Sequence, residues 1–144
     1  MVNYLVVGAG TVVLTVVAIF FHYEVASRLG GAVRWTKLSP RPRILMLFFG
    51  LLFAHIAEIW LFGTGAWLLR DLIGESGIGE LTAPGWLDFV YLSATTYTTV
   101  GYGDLSPSGH LRFLFGTEAL AGLMLITWSA SLTFIEMQAH WRDE

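Results

Sequence analysis

The chain has 144 residues, 55% of them hydrophobic and 13% charged, with a net charge of −3 and a positive mean hydropathy. That balance excludes an ordinary soluble domain, which needs far more polar surface, and it offers no basic footprint for nucleic acid. Cysteine is absent, which excludes disulfides and thiolate metal sites, and neither a GxxxxGK(S/T) phosphate loop nor an HExxH zinc motif suggests an enzyme.

An uncharged apolar run over residues 4–21 covers roughly 27 Å as a helix, close to a hydrocarbon core of ~30 Å. It lacks the basic start of a secretory signal and exceeds the usual apolar region of ~7–15 residues, so a retained transmembrane helix is expected over 1–21. Positions 22–43 hold Arg28, Arg34, Lys37, Arg41 and Arg43, five of the eight Lys and Arg residues. The positive-inside rule makes this connection cytoplasmic. Gly30-Gly31 and Ser39-Pro40-Arg41-Pro42 mark it as a loop with helical pieces. Its charge orients the chain, with contact to anionic membrane lipids as a second use. Further spans are expected over 44–69 and 111–137, followed by a polar cytoplasmic tail, 138–144. The amino terminus then lies outside and the carboxyl terminus inside a plasma (inner) membrane. Trp35, Trp60, Trp67, Trp86 and Trp141 fall near span ends, as interfacial anchors or as ordinary packing.

Between the second and third spans, the glycine-rich stretch 71–85 reads as an exposed loop. Pro84 then precedes an apolar, hydroxyl-rich run over 86–97. A helix there spans only ~18 Å, so it enters a membrane without crossing it. The chain must return as non-helical backbone, which is tolerated at that depth only against protein or water-filled space. A re-entrant loop follows, with Thr98-Thr99-Val100-Gly101-Tyr102-Gly103-Asp104 as its returning strand. Elsewhere such a string is a plain glycine turn. Its place after a half-length helix, opposite the basic connection, sets it apart from such a turn.

The stretch Thr96-Tyr97-Thr98-Thr99-Val100-Gly101-Tyr102-Gly103-Asp104 resembles the potassium-channel signature TxxTVGYGD, and residues 44–137 resemble that family's pore domain of outer helix, pore helix, filter and inner helix. The resemblance implies an all-α membrane protein with three transmembrane helices, a re-entrant pore helix and a filter loop, assembled as a homotetramer because each chain carries one filter. It implies passive K+ conduction, with K+ held at Thr99, Val100, Gly101 and Tyr102, and Gly103 completing the filter. Rings of backbone carbonyls replace the ion's hydration shell, and the glycines permit φ > 0 so that successive carbonyls face one axis. K+ serves as permeant and structural ion, and no other cofactor is implied. Val100 and Tyr102 point into surrounding protein.

By the same resemblance, Thr96, Tyr91 and Asp104 support the filter, with Asp104 meeting the Tyr91 hydroxyl. Leu92 stands where many relatives carry a second aromatic, which bears on filter rigidity. Gly122 occupies the inner-helix hinge position, where close packing is the other use of a glycine. Phe134, below Ile126 and Ala130 at helical spacing, is a candidate hydrophobic gate or a lipid-facing residue. A non-conducting or modulatory channel-like subunit and a weakly selective cation channel stay open as alternatives.

His55, Glu58 and Glu118 lie inside spans, where an ionisable group is expensive and a functional candidate by default. His55 and Glu58 are three apart and share one helix face. Similar depths lead to the expectation that Glu118 pairs with His55 or Glu58, as a structural clasp or as a proton-sensitive gate. His22, His110 and His140 read as surface residues.

Overall fold

The computed structural model describes residues 1–35 and 39–141, without the side chains of Arg34, Trp35, Pro40, His140 and Trp141. The expectations placed on those side chains, on Lys37 and on 142–144 lie outside the described residues. Four helices follow in order: α1 (Val2–Trp35), α2 (Pro40–Ile73), α3 (Trp86–Tyr97) and α4 (Leu111–Trp141). Among the described residues, three helices are long and apolar enough to cross a membrane, over Val2–Val33, Arg41–Ile73 and Leu111–Ala139. The fold class is thus the expected one, an all-helical membrane protein with one short helix between its second and third long ones.

The largest departure is at the basic connection, where a loop beginning at residue 22 was expected. α1 instead continues unbroken to Trp35, through Gly30 and Gly31. Each glycine costs a helix about 1 kcal/mol relative to alanine. Packing offsets that cost, because Ala26 and Val33 are buried against Leu47 and Leu51 of α2. Arg28 is therefore a helical residue, paired with Glu24 one turn earlier in an exposed ion pair at 3.0 Å, a geometry that adds little stability. Pro40 and Pro42 sit in the first turn of α2, where a missing N–H leaves no hydrogen bond unmade.

The long helices alternate in direction. Arg43 near the start of α2 reaches Glu136 near the end of α4 at 3.3 Å, so these ends share one side of the bundle. At the other end, the Asn3 amide donates to the carbonyl of Ile73 at 3.3 Å. α3 inserts between α2 and α4, burying Phe89, Leu92 and Tyr97 in a core with Phe62, Ala66, Leu114 and Phe115. The approach of α2 to α3 is close enough to require Gly63, since a Cβ there would stand 2.6 Å from Val90 Cα.

The stretch 71–85 is less exposed than its glycines suggest. Gly77 and Ile78 are buried, and Ile78 pairs with Pro107 in an isolated antiparallel bridge. Gly74 closes α2 with φ 70° and donates its N–H to Arg70 O, the left-handed helix ending that glycine permits.

Candidate functional site: the re-entrant loop and the buried cluster behind it

α3 begins where the Asp88 carboxylate accepts the Gly85 N–H at 2.7 Å, satisfying a donor that the first turn leaves free. Trp86 donates its indole N–H to Thr64 Oγ1 at 3.1 Å, and its ring meets Trp60 edge-on at 5.3 Å. At the other end, Thr98 N–H donates to Ala94 O at 3.2 Å and Thr99 N–H to Thr96 O at 2.9 Å. Gly101 N–H then reaches back to Thr95 O at 3.0 Å. The return strand is thereby pinned to the helix that precedes it.

Left-handed torsions alternate along this strand, at Thr99 (φ 60°), Gly101 (φ 56°) and Gly103 (φ 84°). Glycine takes such values freely. A β-branched threonine does so only under strain, which surrounding structure retains at functional sites. Val100 and Tyr102 are 55% and 71% exposed on the single chain, although large apolar and aromatic side chains ordinarily find cover. The Tyr91 hydroxyl donates to Asp104 at 2.9 Å, the contact the resemblance implied, and the Tyr91 ring stacks on Tyr102 at 6.4 Å. Leu92, the next residue, is buried in the helical core.

Gly122 of α4 lies against the carbonyl of Tyr97, at a separation that leaves no room for a Cβ. Close packing therefore gives this glycine a reason independent of any hinge. Ile126, Ala130 and Phe134 share one side of α4, where they line a cavity of about 410 Å³ between α2 and α4 together with Phe48, His55 and Ser129.

The intramembrane ionisable groups form two sites, and the expected pairing of Glu118 with His55 or Glu58 is replaced. Glu118 accepts a hydrogen bond from Ser93 of α3, whose hydroxyl also lies 2.8 Å from the carbonyl of Ile59. α3, α2 and α4 meet at that one hydroxyl. Glu58 instead binds His22 Nδ1 at 2.9 Å, His55 Nδ1 at 3.2 Å and the hydroxyl of Tyr97. His22 is wholly buried, contrary to its expected surface position. The reason is the continuation of α1, which carries this side chain past position 21 and into the helix interface. Ser129 of α4 completes a ring, its hydroxyl 3.0 Å from His55 Nε2 and 3.1 Å from His22 Nε2. Tyr97, the last residue of α3, links this ring to the base of the return strand.

Outside the membrane-spanning segments, two carboxylates staple the loop after α2 to the segment before α4. Glu75 accepts the N–H of His110 at 3.0 Å and also binds its ring. Glu80 accepts the N–H of Ser106 at 2.8 Å and its hydroxyl. His110 is thus half-buried and partnered, packed edge-on against Tyr4. The His110 N–H holds the Glu75 carboxyl below the usual range, and the Ser106 hydroxyl does the same for Glu80. A lowered folded value means stability that is present above the ordinary glutamate value of ~4.3 and lost as pH falls through the lowered one. The amides of Ser106 and His110 are therefore expected to lose protection as pH falls through those lowered values, while Glu75→Gln with Glu80→Gln flattens that dependence. Amide exchange read across an acid series checks this.

A family model described as an ion channel matches residues 43–139, a stretch running from the start of α2 almost to the end of α4. Comparison with curated proteins and with solved structures returned no match.

Proposed function

From the ion channel family, to which this chain belongs through residues 43–139, we propose that it is one subunit of a homotetrameric channel selective for potassium. The observation that carries this reading is the alternation of left-handed torsions at Thr99, Gly101 and Gly103 within the string Thr-Val-Gly-Tyr-Gly. Alternating torsions turn successive carbonyls toward one side, the arrangement that replaces an ion's hydration shell. K+ would be held by Thr99, Val100, Gly101 and Tyr102, with Thr96, Tyr91 and Asp104 supporting the loop.

One loop supplies one side of a coordination ring, so four chains close it around an axis with cyclic symmetry. The exposed Val100 and Tyr102 side chains are the surface that neighbouring chains would cover. The C-terminal end of α3 carries the negative end of its helix dipole, which favours a cation beneath the filter. Phe134 is proposed as the hydrophobic constriction of the inner helix. The basic residues Arg28, Arg34, Lys37, Arg41 and Arg43, at the end of α1 and the start of α2 and in the link joining them, support a cytoplasmic position for that side, with the amino terminus outside a plasma (inner) membrane.

Purified protein in liposomes tests this through potassium flux measured beside sodium flux. Flux of potassium well in excess of sodium is the expected result. Equal fluxes would remove selectivity and leave a general cation pore, and no flux over a range of pH and voltage would favour a non-conducting subunit.

A further inference from the structure

The buried ring behind the pore helix has the composition and spacing of a metal site. We propose that His22, His55 and Glu58 bind a divalent transition-metal ion of the zinc class, joining α1 to α2 beside the last residue of α3. Their candidate ligand atoms all lie within 4.8 Å of one another. His22 Nδ1 stands 2.9 Å and His55 Nδ1 3.2 Å from the two Glu58 oxygens. Zinc bonds of ~2.0–2.2 Å in tetrahedral geometry place ligand atoms about 3.3 Å apart, so small side-chain shifts admit the ion.

One tautomer of the two rings makes the hydrogen bonding compatible with an ion. The Ser129 hydroxyl faces Nε2 of both histidines, and a hydroxyl oxygen has two lone pairs with which to accept. If both rings donate their Nε2–H there, both Nδ1 lone pairs are left facing the Glu58 carboxylate. Two nitrogen and two oxygen acceptors then converge with the Tyr97 hydroxyl as the nearby donor. Such a set calls for positive charge. A divalent ion supplies it, with Ser129 orienting both rings as outer-shell partners commonly do for metal-binding histidines. Neutral imidazoles and one carboxylate are ligands suited to zinc, and the Tyr97 oxygen is positioned for the fourth place. His22 and Glu58 are wholly buried, whereas the His55 side chain keeps 15% exposure. His55 and Ser129 also line the cavity between α2 and α4, which gives the site an opening.

The consequence for the pore is direct, since a metal bound to this ring fixes Tyr97 and with it the foot of the filter strand. The test, however, does not depend on conduction. Full-length protein is stripped with chelator, loaded with Zn2+, desalted and assayed for metal, and Co2+ is used separately for visible absorption. The expected result is one zinc per chain, retained on desalting, with a cobalt spectrum of tetrahedral type. Ser129→Ala is expected to weaken binding by about 10–100-fold, and His22→Gln by more, while His110→Gln leaves it unchanged. His22→Cys keeps a ligand and should add a thiolate-to-cobalt charge-transfer band. Wild-type protein that retains no zinc and shows no such cobalt spectrum would overturn the proposal, leaving a clasp held by protons alone. Binding that is indifferent to both Ser129→Ala and His22→Gln would overturn it equally, by placing the metal elsewhere.

Discussion

Liposomes carrying Gly101→Ala protein are expected to lose selective potassium flux by at least about 100-fold relative to the parent. Gly101 has φ 56°, and nothing within 4 Å would touch an added Cβ on the single chain. The penalty therefore lies in the backbone. Holding an alanine in the left-handed region costs roughly 1–2 kcal/mol per residue. In a ring of four chains that becomes about 4–8 kcal/mol, against 1.4 kcal/mol for each tenfold change. The strand relieves that strain by rotating the peptide, which takes a carbonyl out of the proposed ion path. Thr99 already bears the same torsion without being glycine, so the strand has little tolerance for a second strained residue. Potassium flux that survived Gly101→Ala with its preference over sodium intact would refute the proposed filter.

Gly122→Ala is expected to lower thermal stability, by about 1–3 kcal/mol per chain, the usual cost of overpacking a well-filled core. The added methyl would meet the carbonyl of Tyr97, and backbone at a helix end cannot move aside as a flexible side-chain tip can. α4 must shift from α3, which loosens the contact that positions the base of the proposed filter strand. Thermal unfolding in detergent, followed beside flux, separates this from a hinge. Packing predicts a lowered midpoint with reduced flux, whereas a hinge alone predicts altered opening at an unchanged midpoint. An unchanged midpoint would therefore defeat the packing account.

The outcomes for the ionisable residues have a common physical origin. His55 and Glu58 lie three residues apart on one helix, and their shared face follows from helical periodicity alone. The partners of Glu58 do not follow from periodicity. His22 is 36 positions away, and reading it as a surface residue depended on ending α1 at an apparent polar boundary. The glycine pair at 30–31 is a helix-breaking signal by propensity, which burial of Ala26 and Val33 against α2 overrides. Likewise Glu118 and Glu58 sit at comparable depths in their spans. Depth says nothing about rotation, and rotation turns Glu118 to Ser93 rather than to the histidines.

By itself the amino-acid sequence determined the membrane character, the long spans and the half-length helix at 86–97, and its resemblance marked the string proposed as the filter. These are local properties: uninterrupted apolar length measured against a bilayer, and a glycine-bearing string whose torsional needs are written in its residue types. The Tyr91–Asp104 contact, which the resemblance implied, is also present. Only the tertiary structure decided that α1 runs on to Trp35, that His22 joins His55 and Glu58 at Tyr97, and that Gly122 packs against a backbone carbonyl. Each of these depends on how helices distant in sequence rotate and approach one another. That arrangement is set by the fit of many side chains at once, to which no single stretch of sequence holds the key.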